Sequence, residues 1–189
     1  MLRIEAVRKE FSGGAVPVVA LDAVDLEIER GEFVTLVGPS GCGKSSLLTL
    51  ISGLAAASAG RIRINGRDIT GADRDVGFIT QQDNLFPWRS LADNVALSLE
   101  LAGVPAAVRR REAGRWIKRV GLEGFEQAYP HQLSGGMRQR ANIIRTLIYE
   151  PSVILMDEPF GPLDAQTRLS LQALLLSIWE NQRSTVLFV

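Results

Sequence analysis

The sequence predicts an α/β fold with an antiparallel β portion and a helical insert. Three observations carry that prediction. Strand patterns of two kinds recur between Val24 and Thr80, helical periodicity runs from about Leu91 to Tyr149, and buried-strand patterns return at Val153 to Met156 and Val186 to Val189.

Val24, Leu26 and Ile28 alternate with Asp25, Glu27 and Glu29, as a half-solvated antiparallel strand requires. Gly31-Glu32 turns the chain. Phe33 to Val37 is a continuous apolar run, read as a buried parallel strand. Ile62 and Ile64 alternate with Arg61 and Arg63 before Asn65-Gly66, the strongest short hairpin signal. Val76 to Thr80 reads as another short strand. Leu91, Val95, Leu97, Leu99 and Leu101 mark one helix, and Trp116, Ile117 and Val120 mark a second after Pro105. A helix is expected from about Ala165 to Glu180, with no internal repeat and no low-complexity linker anywhere.

With 189 residues, 46% of them hydrophobic, the chain has material for one real core. Lys plus Arg total 21 and Asp plus Glu total 21, a zero net charge that argues against nucleic acid as the main partner. No apolar run approaches the roughly 20 residues of a membrane span, and Met1-Leu2-Arg3-Ile4-Glu5 lacks a secretory core, so a cytoplasmic location is expected. Arg109-Arg110-Arg111 reads as a solvated helix face. Cys42 is the one cysteine, which excludes an internal disulfide. His131 is the one histidine, so it has no companions for a His-based metal site.

Gly38-Pro39-Ser40-Gly41-Cys42-Gly43-Lys44-Ser45 fits G-x-x-x-x-G-K-[ST] between an expected strand and an expected helix, which is the context of a P-loop. Its glycines leave backbone N–H groups uncovered for a β-phosphate, Lys44 adds a point charge between β- and γ-phosphates, and the Ser45 hydroxyl can ligate Mg²⁺. Ser46 follows in the same turn. Cys42 reads as a small filler, since nothing supplies it with a base.

Val153-Ile154-Leu155-Met156-Asp157-Glu158 describes a buried strand delivering two carboxylates at its C-terminal edge. Asp157 suits Mg²⁺, and Glu158 suits a general base for an attacking water. Leu133-Ser134-Gly135-Gly136-Met137-Arg138-Gln139-Arg140 is a second anion-binding helix start, with Ser134 able to cap it.

Two phosphate half-sites in one chain resemble the ATP-binding cassette (ABC) ATPases, a P-loop NTPase fold, and the likeness covers nearly the whole sequence. The resemblance implies one nucleotide-binding domain over 1–189, with a helical subdomain at about 88–150 inserted in a RecA-like core. It implies ATP as ligand and Ser134, Gly135, Gly136 and Met137 acting on the ATP of a second subunit. Met137 stands where many members carry Gln. Gln81, ahead of Leu85-Phe86-Pro87-Trp88, is similar to the Q-loop glutamine that attends Mg²⁺ and water. By residue type alone it is also a plain polar loop residue. Phe160-Gly161-Pro162-Leu163-Asp164 resembles the D-loop, with Asp164 reaching the partner and Pro162 stiffening the turn where Ala is common. Phe11 is similar to the aromatic that stacks on adenine, or else belongs to the core.

The resemblance further implies a membrane permease as partner. Phe86, Trp88 and Leu91 are the expected anchors for its coupling helix, unless the two aromatics fill the seam beside the helical insert. Met-Arg-Gln-Arg after the glycines and Leu-Phe-Pro-Trp after Gln81 are similar to the nitrate, sulfonate and taurine importer branch, on the cytoplasmic face of the inner membrane. A soluble ABC ATPase without a permease is the alternative class. The family also uses a histidine just beyond the strand that ends here at Ser184-Thr185-Val186-Leu187-Phe188-Val189. The expectation is therefore a chain cut short of that residue, or else a genuine short module that binds ATP and hydrolyses it poorly.

Overall fold

The computed structural model describes residues 1–12, 17–161 and 163–189; the expected stiffening at Pro162 lies outside them. The chain divides into two compact units, one of Met1–Phe78, Ser152–Asp157 and Arg183–Val189, the other of Ile79–Pro151 and Glu158–Gln182.

The first unit begins with an antiparallel sheet. Strands β1 (Leu2–Phe11), β2 (Val18–Ile28), β4 (Ala59–Ile64) and β5 (Arg67–Asp68) lie in the order β2-β1-β4-β5. Leu2, Ile4 and Val7 of β1 are buried, and the spacing slips between the last two because a bulge intervenes. At the bulge Ala6 takes φ 46°, and its N–H donates to Asp25 Oδ1 at 2.7 Å. The alternation in β2 holds, with Ile28 buried and Glu27 outward in an ion pair with Arg3. Asn65 and Gly66 take φ 51° and 80°, so the β4–β5 hairpin turns through two left-handed residues as Asn-Gly predicts.

The unit's other sheet is β3 (Phe33–Thr35), β8 (Thr185–Phe188), β7 (Val153–Met156) and β6 (Val76–Ile79), in that order. Strands β3 and β7 both pair in parallel with β8. Every residue of β7 is buried, as an apolar run inside a covered parallel sheet should be. The apolar run at Phe33–Val37 is different. Among the described residues only Phe33–Thr35 form the strand, paired with β8, and Val37 is 91% exposed. The strand is shorter than the apolar run, and Phe33 and Thr35 are exposed. Helix α1 (Lys44–Ile51) sends Leu47, Leu48, Leu50 and Ile51 into the same core as Leu2, Ile64, Leu155 and Leu187.

The second unit is helical: α2 (Leu91–Leu101), α3 (Ala106–Arg119), a 3-10 turn at Pro130–Gln132, α4 (Gly135–Leu147) and α5 (Ala165–Gln182). Leu91, Val95, Ile117, Leu122, Leu133 and Ile144 pack as its core. Leu101, the last residue of α2, is 69% exposed. Of the run expected to be solvated, Arg110 and Arg111 are exposed on α3, whereas Arg109 is half-buried and donates Nη1 to Val104 O at 3.3 Å. Among the described residues no helix is long and apolar enough to cross a membrane.

Candidate functional site

The first unit presents the phosphate loop between β3 and α1. Gly43 is the residue before α1 and takes φ 98°, a left-handed conformation costly for any residue with a Cβ. A Cβ there would also lie 2.5 Å from Ala20 O and 2.9 Å from Leu21 Cδ2. Glycine is therefore required on two counts. No side chain caps α1, and its first intrahelical bond runs from Leu47 N to Gly43 O at 2.9 Å. The N–H groups of Lys44, Ser45 and Ser46 have no acceptor within the helix, which is the geometry of an anion site.

Lys44 Nζ donates to Gly38 O at 2.9 Å and Pro39 O at 2.8 Å, so the ammonium is held over the loop. Ser40, Gly41 and Cys42 form its exposed rim, and Cys42 Sγ is 3.8 Å from the same ammonium. Ser45 Oγ donates to Asp157 Oδ1 at 2.9 Å, although 112 positions separate the two residues. A hydroxyl and a carboxylate paired beside an uncapped helix start are hard oxygen donors suited to Mg²⁺. Phe11 is 49% exposed with Lys9 Nζ 5.1 Å from its ring centre, so it belongs to the surface and not to the core.

The second unit holds the other candidate residues. Gln81 is exposed, and its Nε2 donates to Glu158 Oε2 at 3.4 Å. Glu158 takes φ 45°, uncommon for a residue with a side chain, and such positions concentrate where function needs a particular orientation. The next residue is pinned, because Gln139, only 1% exposed, donates Nε2 to Pro159 O at 2.7 Å. Gln139→Leu strands that carbonyl, and the expected cost is about 1–3 kcal/mol, readable as a lower urea midpoint.

Ser134 caps α4 as expected, its Oγ accepting from Met137 N at 3.2 Å. Gly135 and Gly136 carry no side chain over that first turn. Met137 instead packs its side chain against the helical core, which explains why an apolar residue is tolerated there. Asp164 caps α5, its Oδ1 accepting from Thr167 N at 2.9 Å. The Thr167 side-chain and backbone hydrogen bonds hold the Asp164 carboxyl below the usual carboxylate range, so it stays anionic at neutral pH. His131 is exposed and stacked 5.9 Å from Tyr129.

Phe86 and Trp88 stack at 5.2 Å, and Trp88 is 70% exposed. Leu91 is fully buried in the helical core and is no part of that surface, which corrects its expected place among the anchors. It occupies the first position of α2, where the packed helices claim it. Sequence reasoning missed Asn94, which is buried and ties the loop down. Its Oδ1 accepts from Phe86 N at 2.8 Å, and its Nδ2 donates to the carbonyls of Phe86, Arg89 and Ser90 at 3.0–3.1 Å. A lone polar residue among the apolar positions of α2 was the available signal. Gln139 and Asn142, polar yet buried in α4, give the same signal.

A family model described as ABC transporter matches residues 21–161. An uncharacterized ABC transporter ATP-binding protein of Methanocaldococcus jannaschii is 49% identical over 188 residues, covering 100% of this chain and 70% of the relative. An aliphatic sulfonates import ATP-binding protein of Bacillus cereus is 45% identical over 186 residues, covering 98% and 73%. A solved dimeric ATP-binding cassette in a post-hydrolysis state, bound to ADP and Pi, superposes with a TM-score of 0.93 at 35% identity, covering 100% of this chain and 87% of the other. That superposition bears out the expected ABC-type P-loop fold. With a matching family model, close relatives of the same kind and the phosphate loop on α1, the chain belongs to the ABC transporter family, as one of its ATP-binding, ATP-hydrolysing cassettes.

Proposed function

We propose that this chain powers an importer for a small anionic solute, an alkanesulfonate such as taurine before nitrate. The observation that carries the ATPase chemistry is the Ser45–Asp157 hydrogen bond beside the uncapped start of α1. The sulfonate relative supports the transport class over a soluble ABC ATPase without a permease. The chain acts as one domain over 1–189, with the helical subdomain at about 88–150 set into a RecA-like core.

In this reading Gly38, Pro39, Ser40, Gly41, Cys42, Gly43, Lys44, Ser45 and Ser46 bind the phosphates of ATP, and Phe11 stacks on the adenine. Ser45 and Asp157 would hold Mg²⁺, which when bound would offset phosphate charge. Glu158 accepts a proton from the attacking water, while Gln81 orients that water and the Glu158 carboxylate. Ser134, Gly135, Gly136 and Met137 approach the nucleotide of a second copy, Met137 through backbone alone, and Asp164 reaches the same partner. A homodimer follows from that division of labour, and the dimeric neighbour is consistent with it.

The permease docks at Phe86 and Trp88, placing the chain on the cytoplasmic face of the inner membrane. Trp88→Ala is expected to leave ATP binding intact and to weaken recruitment to membranes carrying the permease. Normal recruitment of that variant, measured by sedimentation with those membranes, removes the docking role. The whole reading is tested by phosphate release from purified protein with ATP and Mg²⁺, together with co-purification of a membrane partner.

A further inference from the structure

Helix α4 turns a polar stripe toward the loop that carries Gln81. Arg138, Asn142 and Arg145 recur at helical spacing and share one face. Arg138 Nε donates to Asp83 Oδ2 at 2.9 Å while Nη1 donates to Leu133 O at 2.8 Å. Asn142 Nδ2 reaches Thr80 O at 3.3 Å and Gln82 O at 3.4 Å. Arg145 donates to Asn84 O at 2.8 Å, Asp83 O at 3.1 Å and Asn142 Oδ1 at 2.9 Å. Within the loop, Thr80 Oγ1 donates to Gln82 O at 2.7 Å and accepts from Asn84 Nδ2 at 2.8 Å. Gln81 thus lies among carbonyls that α4 holds on both sides. Burial disfavours the charge on Arg145 and Asp83 opposes that effect, so the guanidinium is retained where it is costly.

We infer that Arg138, Asn142 and Arg145 are positioning residues that lock the Gln81 loop to the helix starting at Ser134, so that loop and helix start move as one body. Arg138 is central, because a single guanidinium spans Asp83 of the loop and Leu133, the residue before the Ser134 cap. The inference rests on the proposed ATPase reading, in which Gln81 attends the chain's own nucleotide and Ser134 a second copy's. A rigid link between them makes each nucleotide respond to the other, which is a coupling free energy between two sites.

The test is steady-state phosphate release by the full chain over a range of ATP concentrations. Arg138→Lys keeps the charge but cannot span both partners. Its kcat is expected to fall about tenfold, with KM for ATP within about twofold and the Hill coefficient falling toward one. Asp83→Asn keeps the oxygen that accepts from Leu85 N but turns an amide toward Arg138, and gives an independent arm with the same expected loss. The double variant should be no slower than either single, as for two ends of one contact. A purely structural role would lower the melting midpoint and raise KM instead. Release that is unaffected by Glu158→Gln would sink the ATPase reading. Release that depends on Glu158 but keeps wild-type kcat and cooperativity in both single variants overturns the present inference alone.

Discussion

Glu158→Gln is expected to leave ATP bound while phosphate release falls by roughly 10²–10⁴-fold, the usual worth of a positioned general base. The side chain is exposed and its Oε2 accepts from Gln81 Nε2 at 3.4 Å. An amide of the same shape preserves the surroundings but cannot take a proton from water at neutral pH. The backbone at φ 45° already sits in a sparsely populated region, so the substitution changes chemistry and not conformation. Equilibrium binding of ATP and single-turnover release, measured on the same preparation, separate the two effects. Release within tenfold of the unaltered protein would remove Glu158 from the role of base.

Gly43→Ala carries the second large effect. A left-handed backbone costs a residue with a Cβ roughly 1–2 kcal/mol. The new methyl would also press on Ala20 O at 2.5 Å, which is backbone of the adjoining sheet and cannot swing aside as a side chain can. The start of α1 must then shift, and with it the N–H groups of Lys44 and Ser45. ATP affinity is expected to fall about thirtyfold or more, equivalent to at least about 2 kcal/mol, with a lower melting midpoint. Unchanged affinity in a calorimetric titration would mean that the helix start does not contact phosphate.

What the sequence made legible is what local chemistry determines. Asn65-Gly66 turns the hairpin because both residues tolerate positive φ, and that is written in two letters. The cap at Ser134 and the loop from Gly38 to Ser45 are equally local. Strand order is not. The apolar run at Phe33–Val37 announces a strand but not its partner, β8, which lies far along the chain. Leu91 looked like a neighbour of Trp88 because the two are close in sequence. The helical core claims Leu91 and leaves Trp88 outside. The stripe of Arg138, Asn142 and Arg145 passes for a solvated face, since its partners are chiefly carbonyl oxygens that no residue type announces.

Helix α1 begins without a capping side chain and without an acidic residue in its first turn, as α3 does, whereas Ser90, Ser134 and Asp164 cap α2, α4 and α5. In the proposed site a nucleotide phosphate would complete the start of α1. Folding and nucleotide concentration are then linked variables: a ligand that binds the native form adds RT ln(1 + [L]/Kd) to its stability, about 2.7 kcal/mol at a hundredfold excess over Kd. Nucleotide bound at the start of α1 would then raise the melting midpoint of the protein as its concentration rises above Kd.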